Sequence, residues 1–168
     1  MKIIGIDPGL SGAIAILENN KVLSLFDMPV MSEGKKNKRQ LNSALLVNLI
    51  KDNIDLKDDV TVVVEQVNAM PGQGVTSMFN FGQTFGAIKG VCAALELPIF
   101  FVRPSKWKKH FELINSSKDS SRTKAIEMYP KLSNQLSKKK DVNKSDAILI
   151  ARFFSETRLT KENLTQIK

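Results

Sequence analysis

The stretch Ile3-Ile4-Gly5-Ile6-Asp7-Pro8-Gly9-Leu10-Ser11-Gly12-Ala13-Ile14-Ala15-Ile16 decides how this chain folds. An apolar run interrupted by one carboxylate meets a turn of Pro, Gly, Ser and Gly, and a second apolar run follows. That pattern predicts a strand, a tight turn and an antiparallel strand. Asp7 then ends a buried strand, where Asp is a poor strand former and an unpaired charge is costly. Two roles account for it: holding a hard cation such as Mg2+, or an Asx-type turn in which the side chain accepts a nearby backbone N–H.

Val60-Thr61-Val62-Val63-Val64-Glu65 is the strongest strand signal, with four β-branched apolar residues in six. It lacks polar alternation, as a central strand covered on both faces does, and it too ends in an acid, Glu65. A third acid, Asp146, opens the apolar run 147–151, which reads as a buried helix; complementing the helix dipole accounts for Asp146 taken alone. Two strand-terminal acids and one helix-initial acid, each bordering a core segment, form the donor set of a two-metal phosphodiester hydrolase.

Outward from these segments, strands are expected at 2–7, 12–17, 21–27, 60–66 and 98–102, and helices near 39–52, 76–96, 104–111, 120–129 and 144–156. The first three strands follow one another through short turns, as in a meander, and the later ones alternate with helices, which implies parallel crossovers. The expected fold is α/β: a mixed five-stranded sheet with helices on both faces, in one domain over 1–168. In known folds that this order of strands and helices resembles, strands one and four are neighbours, which would set Asp7 and Glu65 side by side. Residues 31–38 read as a polar loop, and the tail after 157 is expected to fray.

In the helix at 76–96, Met78, Phe81, Phe85, Ile88, Cys92 and Leu95 form an apolar stripe, and Gly82, Gly86 and Gly90 a row of small residues. Each glycine costs roughly 1 kcal/mol relative to Ala inside a helix. Close packing on the chain's own sheet would explain the row, and so would packing on a two-fold mate.

A chain of 168 residues is long enough for one well-buried core. Its net charge of +8 suits a polyanionic partner, nucleic acid first. A general lysine bias would also raise the charge, but the charge is patchy. Residues 103–124 hold seven Lys or Arg against two acids, and further basic groups crowd 35–39 and 138–144. The single cysteine, Cys92, allows no intrachain disulfide, and the single histidine, His110, excludes a His-based zinc site and disfavours a Ser-His-Asp triad. The first apolar run carries Asp7, unlike a signal peptide, and no run approaches the ~18–20 residues of a membrane span. A soluble cytoplasmic protein is expected, with no membrane partner and no small-molecule cofactor.

Gly5-Ile6-Asp7-Pro8-Gly9, Val64-Glu65-Gln66 and Ser145-Asp146-Ala147 resemble the RuvC-type Holliday junction resolvases, over about residues 1–155. The segments 70–74, 103–108 and 121–125 look more like the phage and organelle branch. The resemblance implies an RNase H-like fold and a homodimer that cuts four-way DNA junctions by paired symmetric nicks. It implies two Mg2+ ions per active site, with Mn2+ able to substitute. Asp7 would bridge both metals, with Glu65 on one and Asp146 on the other. The family's fourth ligand falls on Asn143 by the host-enzyme pattern and on Asp141 by the phage-like one. Lys108 resembles a catalytic or phosphate-clamping lysine, with Lys118 and Arg122 as alternatives, while Lys106, Lys109 and Lys124 would contact DNA backbone. Met70, in the loop 68–74, would act as a wedge at the branch point. Met78, Gly82, Phe85 and Gly86 would lie in the dimer interface, and Trp107 would pack in the core or at an interface rather than stack on a base. Three other readings stay open: another RNase H-like nuclease acting on flaps, branched DNA or RNA–DNA hybrids; a non-catalytic junction-binding protein; and an ATP-binding module of the actin/Hsp70 kind. The last needs two such domains, and 168 residues hold about one.

Overall fold

The computed structural model describes residues 1–34, 38–55, 57–68, 72 and 74–165, with side chains except at 33 and 159–165. The opening stretch forms β1 (Lys2–Asp7) and β2 (Ala13–Glu18), and β3 (Lys21–Asp27) completes the meander. A small separate hairpin follows, β4 (Val30–Glu33) and β5 (Lys38–Leu41), then α1 (Ser43–Asn53) and β6 (Val60–Glu65). The rest comprises α2 (Val75–Ala94), β7 (Ile99–Val102), α3 (Pro104–His110), α4 (Ser120–Met128) and α5 (Val142–Thr165).

The main sheet has the order β3-β2-β1-β6-β7, antiparallel across β1–β2–β3 and parallel across β1–β6–β7. Strand alternation sends neighbouring residues to opposite faces. Ile4, Ile6, Ile14, Ile16, Val62 and Val64 meet Leu46 and Ile50 of α1 and Ile88 and Cys92 of α2. Ile3, Ala13, Ala15, Leu17 and Val63 meet Trp107 of α3 and Ala147, Ile148 and Ala151 of α5. The expected α/β arrangement, a mixed five-stranded sheet covered on both faces, is what the chain adopts.

The expectation of a polar loop at 31–38 leading into a helix at 39 is corrected. Val30 pairs with Leu41 and Ser32 with Arg39, so this stretch is a two-stranded ribbon. The helix waits for Asn42, whose side chain accepts the Leu45 N–H at 3.0 Å as an N-cap. At the other end, α5 starts two residues earlier than expected and runs past Thr157 to Thr165. Among the described residues no helix is long and apolar enough to cross a membrane.

Two glycines set the geometry that the site depends on. A Cβ on Gly5 would overlap the Ala147 carbonyl oxygen and lie 2.8 Å from Ala151 Cβ, so only glycine lets α5 lie this close to β1. A Cβ on Gly12 would overlap the Asp7 carbonyl oxygen, and the Gly12 N–H closes the turn on the Gly9 carbonyl at 2.8 Å.

Candidate active site

Asp7 is the last residue of β1, and Glu65 the last of β6. With Ile6 opposite Val64 in the parallel register, both acids emerge at the same end of adjacent strands. Asp146 comes from the second turn of α5, next to the Ala147 that rests on Gly5. The three carboxylates predicted to form one site therefore converge at one end of the central strands.

Their electrostatics show that they sense one another. The Asp7 carboxyl is pushed up to about 7, first by burial and then by the charges of Glu65 and Asp146. Asp146 rises to about 6, chiefly from burial, with Ser121 and Lys108 pulling it back and Glu65 pushing it further. Glu65 is also raised by burial, and its hydrogen bond from Trp107 and the charge of Lys108 oppose the rise. Lys108 thus lowers all three acids, which makes it the cation common to the whole cluster. The Asp7 side chain also accepts a hydrogen bond from the Gly9 backbone, so the turn role and the place in the acid cluster coexist.

Could these groups hold a divalent cation? The donors are all carboxylate oxygens, the ligand chemistry that hard divalent ions select. Asp146 Oδ1 is buried and has no hydrogen-bond partner, an orphaned acceptor of the kind a cation satisfies. Among the described residues no three His, Cys, Asp or Glu side chains, as placed, are gathered tightly enough to grip an ion. The donor set fits; closing it would take side-chain movement, which mutual repulsion opposes until positive charge is supplied.

Beside Asp146 lies a groove of about 300 Å3, lined by Lys108, Lys118, Ser116, Ser117, Ser121 and Asn143 among others. Lys108 is half-buried there, with Nζ 5.3 Å from the Trp107 ring centroid, whereas Lys106 and Lys109 are exposed on the same short helix. The basic residues expected to act as one group therefore divide. Arg122 is committed to Asp119 through two hydrogen bonds, Nη2 to Oδ2 at 2.6 Å and Nε to Oδ1 at 2.7 Å, and donates to the Leu136 carbonyl at 3.1 Å. Lys124 pairs with Glu127 at 3.3 Å. Lys118 faces the groove and bears on Asp146.

Each of the two candidates for a fourth ligand makes contacts of its own, Asp141 through both carboxylate oxygens and Asn143 through its amide nitrogen. Asp141 is 4 % exposed, accepts the Lys138 N–H on Oδ2 at 2.8 Å, and has Oδ1 3.8 Å from Lys144 Nζ. It closes a 3-10 turn immediately before α5. Asn143 donates its amide N–H to the Ser11 carbonyl at 2.5 Å, tying α5 to the turn after Asp7. Met70 lies outside the described residues.

Of the expected interface residues, Met78 is half-buried, and Phe85 packs on Phe81 and Phe101 with ring centroids 6.4 and 5.5 Å away. Gly82 and Gly86 are exposed, and a Cβ on either, or on Gly90, would meet nothing within 4 Å. The glycine row is thus not explained by packing on the chain's own sheet. Residues 75, 79, 82, 86, 90 and 93 recur at helical spacing on the solvent side of α2, where Val75 is 84 % and Phe79 64 % exposed.

Sequence reasoning missed the role of Trp107. It is fully buried, as expected of a core residue, yet its indole N–H points at Glu65 Oε1. The two are 42 residues apart, and no local pattern connects them.

No protein-family model matches the sequence, and no curated protein matches it. Solved structures do share its fold. One is RuvC of Thermus thermophilus in complex with a Holliday junction substrate, at TM-score 0.58 and 14% identity, covering 94% of this chain and 96% of that one. Another structure of Thermus thermophilus RuvC aligns at TM-score 0.53 and 16% identity, again over 94% and 96%. The chain has the RNase H-like α/β fold of RuvC.

Proposed function

We propose that this protein is a divalent-metal-dependent endonuclease that cuts branched DNA, with the four-way junction as its principal substrate. The observation that carries the reading is the convergence of Asp7, Glu65 and Asp146 at one end of the central strands, with Lys108 set against all three. The likeness of fold to a RuvC bound to a Holliday junction substrate supports the choice of substrate. The net charge of +8 supports a polyanion.

Asp7, Glu65 and Asp146 are the residues that would hold Mg2+, or Mn2+ in its place. When bound, such ions supply an activated water and neutralise charge developing on the phosphate and the leaving oxygen. The chain's own contribution is positional. Trp107 fixes one oxygen of Glu65, Gly5 lets α5 bring Asp146 to the sheet, and the Gly9 N–H holds the Asp7 carboxylate at the strand end. Lys108 and Lys118 line the groove beside Asp146, where they would hold the phosphate of the cut strand. Asp141 and Asn143 contribute by shaping the entry to α5.

The exposed apolar stripe on α2 favours a second copy of this chain as its cover, since small residues let two helices approach closely. Two such sites related by a two-fold would nick opposite strands symmetrically.

Incubating end-labelled four-way junction, flap, RNA–DNA hybrid and linear duplex with the protein, with and without Mg2+, tests the reading. Paired nicks in the junction alone, dependent on Mg2+ and lost in Asp7→Asn and Glu65→Gln while junction binding persists, are expected. Undiminished nicking by Asp7→Asn would overturn the site; preferential cutting of flap or hybrid would replace the substrate.

A further inference from the structure

The basic hairpin at β4–β5 plays no part in the site described above, yet it borders it. On the α1/α2 side of the sheet, a cleft of about 160 Å3 lies between β5, the start of α1, α2 and Leu10 of the turn after Asp7. Its polar lining is Arg39, Gln40, Ser43, Asn80, Gln83 and Thr84. We propose that this cleft is a second nucleic-acid contact, a backbone groove in which Arg39 takes a phosphate and the amides of Asn80 and Gln83 take the sugar–phosphate edge beside it. The proposal rests on the nuclease reading above.

The chemistry of the lining is the first argument. One guanidinium, three carboxamides and two hydroxyls, with no carboxylate, is the set of side chains that contacts nucleic-acid backbone. Among the described residues Arg39 forms no ion pair, unlike Arg122, so its charge is available to a ligand. Size is the second. At about 160 Å3 the cleft is below the ~300–1,000 Å3 of small-molecule pockets, which suits a surface groove rather than a nucleotide or cofactor site.

Position is the third argument. Arg39 Nη2 lies 3.4 Å from Ser11 Oγ, and the carbonyl of the same Ser11 accepts the Asn143 amide at 2.5 Å. Arg39 lines the cleft, and Asn143 lines the Lys108–Lys118 groove. The Asp7 turn is therefore gripped from both sides by residues of two separate polar basins. A strand laid across the turn runs from the Lys108 and Lys118 groove, over the acids, to Arg39. The acid cluster, which repels a phosphodiester on its own, is thus flanked by cations at both ends.

The test uses the full chain carrying Asp7→Asn, so that DNA stays uncut, and reads anisotropy of a labelled four-way junction over a KCl series. Adding Arg39→Ala should weaken binding about fivefold and flatten the log–log salt slope by about 1, the signature of one lost phosphate contact. Gln83→Ala should weaken binding without moving the slope, and Arg39→Lys should restore the slope. Unchanged affinity and slope in Arg39→Ala, with the Asp7→Asn parent binding the junction, would overturn this contact and leave the nuclease reading standing. A parent that binds no DNA at low salt would overturn both.

Discussion

Trp107 donates its indole N–H to Glu65 Oε1 at 2.8 Å from a site with no solvent exposure, so the chain's only tryptophan is wired to one of its three site carboxylates. A hydrogen bond to a charged group in such a setting contributes about 1.5–3 kcal/mol, and it opposes the rise that burial imposes on Glu65. Trp107→Phe keeps an aromatic ring and removes the donor, so the Glu65 pKa should climb further. The acid limb of the cleavage pH profile should move up by about one unit, since a unit corresponds to about 1.4 kcal/mol. In the wild type, tryptophan emission should track the same ionisation and respond to Mg2+. An acid limb that stays in place in Trp107→Phe, with the fold intact by circular dichroism, would dismiss the positioning role.

Asp7 links the site to stability. Its carboxyl rises from 3.8 to about 7 on folding, so between those values the native state binds more protons than the unfolded one. Stability from this group is greatest below pH 4 and is lost as pH rises through 7. Asp146, at about 6, adds in the same direction. Metal-free protein should therefore gain from Asp7→Asn at pH 8, on the order of 1–3 kcal/mol, and gain little at pH 4. Urea melts in EDTA at the two pH values measure this. Equal effects at both would show that burial and the neighbouring acids do not raise the Asp7 carboxyl in the folded chain.

Lys108 and Lys106 sit two residues apart on α3 in different surroundings, one half-buried against the acids and one exposed. Lys108→Ala should reduce cleavage by at least tenfold more than it reduces junction binding, because its charge acts on Asp7, Glu65 and Asp146 together. Lys106→Ala should mainly flatten the salt dependence of binding by less than one phosphate contact. Equal losses from both variants in both assays would remove any special role for Lys108.

What could be read before the fold was known follows from how local the cause is. The β1–turn–β2 unit, the buried β6 strand and the three acids are written in contiguous residues, where period, β-branching and turn chemistry act within a few positions. The β4–β5 ribbon was illegible because most of its residues are polar or charged, and only the cross-strand pairing from Val30–Leu41 to Glu33–Lys38 shows that they are strands. Trp107 needed β6 and α3 to be brought together. Arg122 entered through the family resemblance as an alternative to Lys108, and its partner Asp119 only three residues away was a signal within reach. The glycines of α2 were ambiguous until their surroundings were known, since a row of small residues marks close approach without saying to what.

Because a Cβ on exposed Gly86 meets nothing within 4 Å, Gly86→Leu should leave the fold intact, and replacing a helical glycine should even favour α2 by about 1 kcal/mol. If α2 covers its partner in a dimer, the same bulk should hold the two helices apart. Analytical ultracentrifugation at micromolar concentration should then show a dimer for wild type and a folded monomer for the variant. Paired nicking of a junction should decay into single, uncoordinated nicks. A wild type that is monomeric in that experiment would remove the two-fold mechanism, and a variant that stays dimeric would move the interface off α2.

Asp141 separates a metal ligand from a helix-entry residue. Its Oδ2 already accepts the Lys138 N–H, and its Oδ1 faces Lys144, which also reaches Asp27 at 3.3 Å. Its charge bears on Arg122, and the leading influences on Asp7 and Asp146 are burial, hydrogen bonds and the charges of other groups. Replacing the carboxylate therefore removes an anchor at the start of α5 rather than an oxygen from the acid cluster. Asp141→Asn should cost about 0.5–2 kcal/mol of stability, the usual range for a lost cap, and leave the Mg2+ concentration for half-maximal cleavage unchanged. Asp146→Asn should do the reverse: it should abolish Mg2+-dependent cleavage and, because it removes a buried charge with an unpartnered oxygen, stabilise the metal-free chain at pH 8. A metal titration displaced several-fold by Asp141→Asn would mean that the carboxylate leaves its cap when the ion binds, and would make Asp141 the fourth ligand.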